Sequence, residues 1–191
     1  MLVVIRGAGD IATGIAVRLH RAHMKIIMTE IPEPTAIRRT VCFSEAVRKG
    51  SMVVEGICAE LAHSVKQAEE IAGGGRIAVL VDEHGSSVSL LRPDVVVDAI
   101  LAKKNLGTKI TDAPLVIGVG PGFAAMVEGV PMVCTIDGIL RGILPEGIRV
   151  HAGMKSGDID PRCEREYCYS VSEKALAVGG GVLEAILNLS K

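Results

Sequence analysis

Residues 2–31 read LVVIRGAGDIATGIAVRLHRAHMKIIMTEI, and this stretch decides the fold. An apolar run is followed by a glycine turn, a segment with apolar residues at the 3.6-residue helical period, and a second apolar run. The pattern predicts strands at 2–6 and 25–30 with a helix over 10–23 between them. This is the order of a βαβ unit, whose two strands lie parallel in one sheet.

The turn after the first strand has the form G-x-G-x-x-A, made by Gly7, Ala8, Gly9, Asp10, Ile11 and Ala12. Gly7 permits the tight turn, Gly9 lets a pyrophosphate approach the backbone, and Ala12 lets the helix lie close to the strand. The helix start adds free N–H groups and a partial positive charge. The turn therefore predicts a dinucleotide site, or alternatively only the glycine turn that an α/β fold needs.

Charged residues near the turn refine this hypothesis. Glu30 lies 21 positions after Gly9, where a carboxylate accepts hydrogen bonds from ribose hydroxyls and repels a 2′-phosphate, so NAD(H) is favoured over NADP(H). Asp10 argues against the site, because it puts a negative charge beside the pyrophosphate. Arg38 and Arg39 could hold a phosphate, which would blur the choice of cofactor, or they could belong to a solvated helix face.

The same alternation continues to about residue 125. Because apolar strands alternate with helical patterns, we expect a Rossmann-like α/β fold with an open, mostly parallel sheet, covering 1–125 as a nucleotide-binding domain. The elements predicted in this part are a helix at 35–49, strand or hairpin material at 51–62, a helix at 64–72, and strands at 76–82, 94–99 and from 114 onward.

The ends of the later strands carry further candidates. Ligands of open α/β sheets bind outside the carboxyl ends of the strands. Asp98, Gly120 and Gly122 follow such strands and are therefore predicted to face the same crevice as the glycine turn. Asp98 could instead cap a helix, and Lys103 and Lys104 could belong to a solvated helix.

Residues 126–191 have a different sequence pattern. Short apolar pieces separated by turn signals predict a small β module, a partial barrel-sandwich hybrid, followed by a C-terminal helix. Ser170 and Glu173 have the spacing of a capping box at the start of that helix. Glycines at 179–181 interrupt its pattern, which indicates close backbone contact, a break or a ligand contact.

Composition excludes several classes of function. The net charge of −1 and the 2 % of aromatic residues argue against nucleic-acid binding. No apolar run is long enough to span a bilayer, and no signal peptide is apparent, so a cytoplasmic protein is expected. The histidines have no metal-ligand spacing, and the five cysteines are expected to be free thiols. No nucleophile–base motif appears, which leaves open whether the chain is an enzyme.

Several segments resemble the YqeB family, and together they cover nearly the whole chain. They are residues 7–31, 38–47, 54–57, 92–123, 137–162 and 165–187. The family consists of accessory proteins of the selenium-dependent molybdenum hydroxylase system, and its first part is similar to the Rossmann-type domain of the XdhC family. The resemblance implies a maturation role, in which the protein binds, sulfurates, selenates or delivers the molybdenum cofactor of its partner, a molybdenum hydroxylase.

The chain departs from the family pattern at 124–136, where members of the family have a longer section. The missing part belongs to the barrel-sandwich hybrid, so the β module would be half a barrel with unpaired strand edges. We therefore expect two chains to complete it as a homodimer.

Three functions remain open from the sequence. The first is an accessory protein that holds NAD(H) or a molybdopterin dinucleotide. The second is a small NAD(H)-dependent oxidoreductase in which Asp98 or Lys103 handles protons, since hydride transfer needs mainly positioning. The third is a nucleotide sensor without turnover.

Overall fold

A seven-stranded sheet forms the centre of the computed structural model, which describes residues 1–102, 105–119, 139–145, 147–151 and 154–189. The strand order is β3-β4-β5-β2-β1-β6-β7, and every neighbouring pair is parallel except β3 and β4, which form a hairpin. The predicted Rossmann-like α/β fold is confirmed. The strands are β1 (Leu2–Arg6), β2 (Lys25–Glu30), β3 (Ser51–Val54), β4 (Ile57–Ala62), β5 (Ile77–Val81), β6 (Val95–Asp98) and β7 (Leu115–Gly118).

Helices and a small second sheet complete the described fold. The second sheet pairs β8 (Ile139–Ile143) with β9 (Gly157–Asp160) in antiparallel fashion. Short 3-10 turns occur at Arg39–Val41, Phe43–Glu45 and Arg165–Cys168. The helices are α1 (Asp10–Arg21), α2 (Ala46–Lys49), α3 (Val65–Gly73), α4 (Val88–Leu91) and α5 (Glu173–Leu189).

Both faces of the central sheet are buried, as its nearly continuous apolar strands require. On one face, Ile5 of β1 belongs to a core that includes Ile15 of α1 and Ile186 of α5. On the other face, Val4 belongs to a core that includes Ala68 of α3. Successive residues of a strand point to opposite faces, so β1 contributes to both cores.

The helix predicted over 35–49 is wrong in its first part, because only Ala46–Lys49 is α-helical. The backbone N–H of Phe43 donates to Oγ1 of Thr13 at 3.0 Å, and that of Ser44 donates to the carbonyl of Ala8 at 2.9 Å. These N–H groups are bound to the glycine turn and the first helix. They are therefore not available for a regular helical ladder.

The capping box predicted at Ser170 and Glu173 is also wrong. The residue before α5 is Ser172, whose Oγ accepts a hydrogen bond from the N–H of Ala175 at 3.2 Å. The carbonyl of Ser170 accepts a hydrogen bond from Nη2 of Arg38 at 2.9 Å. Ser170 therefore belongs to a segment that is bound to the first βαβ unit.

Two glycines bring α1 and α5 into backbone contact. A Cβ on Gly14 would lie 2.5 Å from the Cβ of Ala175, and a Cβ on Gly179 would lie 2.8 Å from the carbonyl oxygen of Gly14. A Cβ on Gly180 or Gly181 would meet nothing within 4 Å. Of the three explanations for the glycine run, close backbone contact therefore applies to Gly179.

The C-terminal helix shares the core of the central sheet, since Ala175, Val182 and Ile186 are buried against it. The β8–β9 pair touches the same unit where Gly142 meets the backbone of Ile37 and Arg38. The division of the chain into 1–125 and 126–191 stays a prediction, because 120–138, where the boundary falls, lies outside the described residues.

We predict that Gly179→Ala and Gly180→Ala have opposite effects on stability. An alanine at 179 must push α5 away from the backbone of α1, which should lower the free energy of unfolding by about 1–3 kcal/mol. An alanine at 180 has space for its side chain and a higher helix propensity than glycine. The free energy of unfolding should therefore rise by up to about 1 kcal/mol. Urea denaturation of both variants measures the difference, and equal effects would contradict the contact between α1 and α5.

Candidate functional site

A cavity of about 870 Å³ opens at the carboxyl ends of the parallel strands. Its wall includes Gly7 and Gly9 after β1, Ile31 after β2, Asp82 after β5 and Ile100 after β6. The chain crosses from β1 to β2 on one side and reaches β6 on the other, so the cavity lies where the strand order reverses. Open α/β sheets bind their ligands at this position.

The two glycines of the turn serve different purposes. Gly7 has φ +95°, and a Cβ on it would lie 3.0 Å from the carbonyl oxygen of Ala99, so the fold itself requires a glycine there. Gly9 has φ −72°, which any residue can adopt, and a Cβ on it would meet no atom of the described residues within 4 Å. The absence of a side chain at Gly9 therefore leaves open space beside the start of α1.

Glu30 lies in the cavity wall and binds the backbone of the glycine turn. Its carboxylate accepts hydrogen bonds from the N–H of Ala8 and from the N–H of Ile31, each at 2.9 Å. Burial raises the pKa of Glu30, while these two N–H groups act in the opposite direction. The predicted acidic residue therefore lies beside the glycine turn and fixes its shape.

Asp10 is paired with an arginine. Nη1 of Arg38 donates to both carboxylate oxygens of Asp10, at 3.0 and 3.1 Å. Nη2 donates to the carbonyls of Tyr167 at 2.6 Å and Ser170 at 2.9 Å, and the side chain is only 4 % exposed. The interpretation of Arg38 as part of a solvated helix face is therefore wrong. The positive charge of Arg38 offsets the negative charge of Asp10 beside the start of α1.

Arg39 has a different partner. Its guanidinium forms two hydrogen bonds of 2.9 Å with Glu45, whose carboxylate is 1 % exposed. Lys49 lies 3.5 Å from the same carboxylate. Arg39 thus neutralises a buried charge, and within the described residues neither Arg38 nor Arg39 lines the large cavity.

Asp98 is held by a network that the sequence analysis missed. Arg6 is 2 % exposed, and its guanidinium donates to Oγ1 of Thr108 and to the carbonyl of Leu106. The hydroxyl of Thr108 donates in turn to Asp98 at 2.6 Å. Because Leu106 is part of the cavity wall, this network positions one wall of the site. The available signal was an arginine at the end of an otherwise apolar strand.

The other predictions concern the residues that follow β6 and β7. Asp98 does not cap a helix within 99–102 or 105–114, and its carboxylate accepts instead from the N–H of Ile100 at 3.2 Å. Gly120 and Gly122 lie outside the described residues, as do Lys103 and Lys104.

Metal sites and membrane-spanning helices are two further features that the described residues can be examined for. In that part of the chain, no group of three or more His, Cys, Asp or Glu side chains is arranged to hold a metal ion. The helices of the same part include none with the length and apolar character needed to cross a membrane.

Comparison with known proteins relates the chain to one named relative. It is 39 % identical to "Uncharacterized protein YqeB" of Escherichia coli (strain K12) over 257 aligned residues, which take in 98 % of this chain and 48 % of the relative. The chain thus spans about half the length of that relative. The aligned stretch exceeds the 191 residues of the chain, so the relative carries residues within it that this chain lacks.

This similarity agrees with the resemblance seen in the sequence, and the name of the relative states no activity. No protein-family model matches the chain, and no solved structure matches it.

The environment of Glu30 predicts a specific pH dependence. Because its pKa is raised above the ordinary 4.5, the folded protein keeps this proton to higher pH than the unfolded chain does. The contribution of Glu30 to the free energy of unfolding therefore falls as pH rises from 4.5 through the raised pKa. Glu30→Gln removes this contribution, so wild type should lose stability relative to the variant over that interval.

Urea denaturation of both proteins at a series of pH values between 4 and 8 measures this change. Glu70→Gln on α3 removes an equally negative but exposed charge and serves as the control. A difference between wild type and Glu30→Gln that stays constant with pH would contradict the prediction.

Proposed function

We propose that this YqeB-like chain is an accessory protein that binds a dinucleotide, NAD(H) or a molybdopterin dinucleotide, for the maturation of a selenium-dependent molybdenum hydroxylase. The observation that carries the binding proposal is the open space at Gly9, beside the start of α1 and within a cavity of about 870 Å³. That volume is within the usual range of small-molecule sites.

The pyrophosphate would lie against the first turn of α1. This helix has 12 residues, and no side chain caps its first turn. Its first N–H groups have no partners within the helix, and its dipole favours a negative group there. Arg38 offsets the charge of Asp10, the feature of the sequence that argued against an anion at this position.

The ribose nearest the turn would meet Glu30. Each carboxylate oxygen of Glu30 accepts one backbone N–H, and a carboxylate has about four acceptor positions in all. Ribose hydroxyls can therefore donate to Glu30 without displacing the backbone. A 2′-phosphate would be repelled by the ionised carboxylate, which favours NAD(H) over NADP(H).

Binding without turnover is favoured by the hydrogen bonding of two acidic groups at the carboxyl ends of the strands, Asp98 and Asp82. Asp98, the candidate proton carrier of a dehydrogenase, is hydrogen-bonded to Thr108 and lies 3.9 Å from the guanidinium of Arg6. Asp82 accepts hydrogen bonds from the N–H groups of Ser86 and Ser87 and from the hydroxyl of Ser87. Both carboxylates are thus committed to structural partners.

The role in the maturation of a hydroxylase rests on the family resemblance. Such a role requires only that the ligand be held and passed on, which agrees with an open cavity and structurally engaged acids. An NAD(H)-dependent oxidoreductase that used Asp98 as its proton carrier would need this carboxylate to be released from its partners.

Gly9→Val tests the site. Titration calorimetry with NADH, NADPH and a molybdopterin dinucleotide should show binding of at least one of them to wild type. The valine side chain would occupy the space beside α1 and weaken this binding by roughly a hundredfold or more, because several hydrogen bonds to charged phosphate oxygens are lost together.

Gly73→Val is the matched control, since Gly73 at the end of α3 also has free space around it and does not line the cavity. If none of the three compounds binds wild type, the glycine turn is structural and the proposal is wrong. If Gly9→Val binds as wild type does, the site lies elsewhere. Oxidation of bound NADH with a carbonyl compound would favour the oxidoreductase.

We infer that two copies of the chain associate through the small β module. Within the described residues the second sheet has only two strands, β8 and β9, and Ile143 at the end of β8 is exposed. Unpaired strand edges with apolar residues favour pairing with another chain. Light scattering at micromolar concentration should give the mass of a dimer, and a monomer mass would contradict the inference.

A further inference from the structure

A second cavity, of about 580 Å³, lies beside the first. It is bounded by the first turn of α1, by residues around β8 and β9, and by the segment that leads into α5. The two cavities share Asp10, Ile11, Leu101, Lys155 and Lys174 in their walls. They are therefore neighbouring compartments of one cleft.

The wall of the second cavity carries more positive than negative charge. Three carboxylates belong to it, those of Asp10, Asp158 and Glu173, against five cationic side chains, those of Arg38, Arg141, Lys155, Arg162 and Lys174. With Asp160, which pairs with Arg141 and Arg162 behind the wall, four carboxylates stand against five cations, so an excess of positive charge remains. An anion is the ligand that this excess of charge would attract.

Carboxylates hold several of these cations in fixed positions. Asp158 binds Arg141 at 2.7 Å and is also paired with Lys155, while Asp160 binds Arg141 at 3.0 Å and Arg162 at 2.7 Å. The hydrogen bond from Arg162 lowers the pKa of Asp160 well below its usual range, so this carboxylate stays ionised. The guanidinium groups are therefore oriented before any ligand arrives.

Two of the cations keep donors outside these pairs. Arg162 uses Nε and Nη2 toward Asp160, which leaves Nη1 outside the pair, and its guanidinium lies 3.9 Å from the centre of the Tyr167 ring. Lys174 makes no ion pair with any residue in the described part of the chain. Both groups are able to bind a further anion.

Arg38 and α5 add to the same wall. Nε of Arg38 is buried and makes no hydrogen bond with any described residue; it lies 4.0 Å from Asp158, in a side chain that is 4 % exposed. Helix α5 has 17 residues and begins at the wall of the second cavity. Of the N–H groups in its first turn, that of Ala175 donates to Oγ of Ser172. The other N–H groups of this first turn are available to an acceptor.

We propose that the second cavity is a subsite for a phosphate group, bound by Arg162, Lys174 and the first turn of α5. The phosphate belongs to a small molecule separate from the dinucleotide, because a dinucleotide carries its phosphates as the central pyrophosphate that the glycine turn would bind. Terminal donors of arginine and lysine with a helix N-terminus form a common arrangement for phosphate in proteins. The subsite does not depend on what binds at Gly9.

Titration calorimetry with inorganic phosphate, at constant ionic strength, tests the subsite. Wild type should bind phosphate saturably, and Arg162→Gln and Lys174→Gln should each weaken binding by about tenfold or more. Arg165→Gln removes the same charge from the same segment but outside the wall, and it should bind as wild type does. If Arg162→Gln does not fold, Lys174→Gln still tests the subsite.

Gly9→Val separates this proposal from the binding proposal at the glycine turn. The variant should bind phosphate as wild type does. Absence of saturable binding to wild type, or equal weakening by Arg165→Gln, would overturn the subsite. Loss of phosphate binding in Gly9→Val with no change in Arg162→Gln would also overturn it, while leaving the glycine-turn site intact.

A second titration in the presence of saturating NADH tests whether the two sites are separate. Unchanged phosphate binding supports a subsite for a separate molecule, and competition would overturn it, because inorganic phosphate would then bind where the pyrophosphate binds.

Discussion

The buried guanidinium of Arg38 joins three parts of the structure. It binds Asp10 at the start of α1 and the carbonyls of Tyr167 and Ser170 before α5, and the adjacent backbone of Ile37 is in contact with Gly142 of β8. Removing one partner of a buried charged group costs about 3–5 kcal/mol, because the other charge is left without compensation. The glycine turn, the small sheet and the C-terminal segment are therefore energetically coupled, and the walls of both cavities depend on this one side chain.

The first βαβ unit could be predicted from the sequence because its signals are local. Apolar periodicity and the glycine turn lie within 30 consecutive residues, and the strands and helix follow within a few positions of their predicted bounds. The burial of Arg38 could not be predicted in the same way. Its carbonyl acceptors are 129 and 132 positions away in the chain, so an arginine in a polar stretch has the same local pattern whether it is buried or solvated.

Errors at 35–49 and at Ser170 have the same physical origin. Each segment has the composition of a helix start or a helix body, yet its backbone groups are bound by a distant part of the chain: Phe43 by Thr13, and Ser170 by Arg38. Tertiary hydrogen bonds of this kind override helix propensity, which amounts to less than about 1 kcal/mol per residue for ordinary residues. The glycine run was noticed in the sequence, but only the position of Gly14 on α1 explains why Gly179 must lack a side chain.

Contacts within the protein itself hold the candidate site in shape. Gly7 is fixed by its contact with Ala99, and the N–H of Ala8 is bound by Glu30 while its carbonyl accepts from Ser44. A Cβ on Gly9 would meet no atom of the described residues within 4 Å, so the proposed pyrophosphate would enter a turn whose conformation needs no change. Because Glu30 has acceptor positions beyond the two that the backbone uses, ribose can bind there without loss of the bonds that shape the turn. Binding would then require little reorganisation of the protein, which suits a carrier that must both take up and release its ligand.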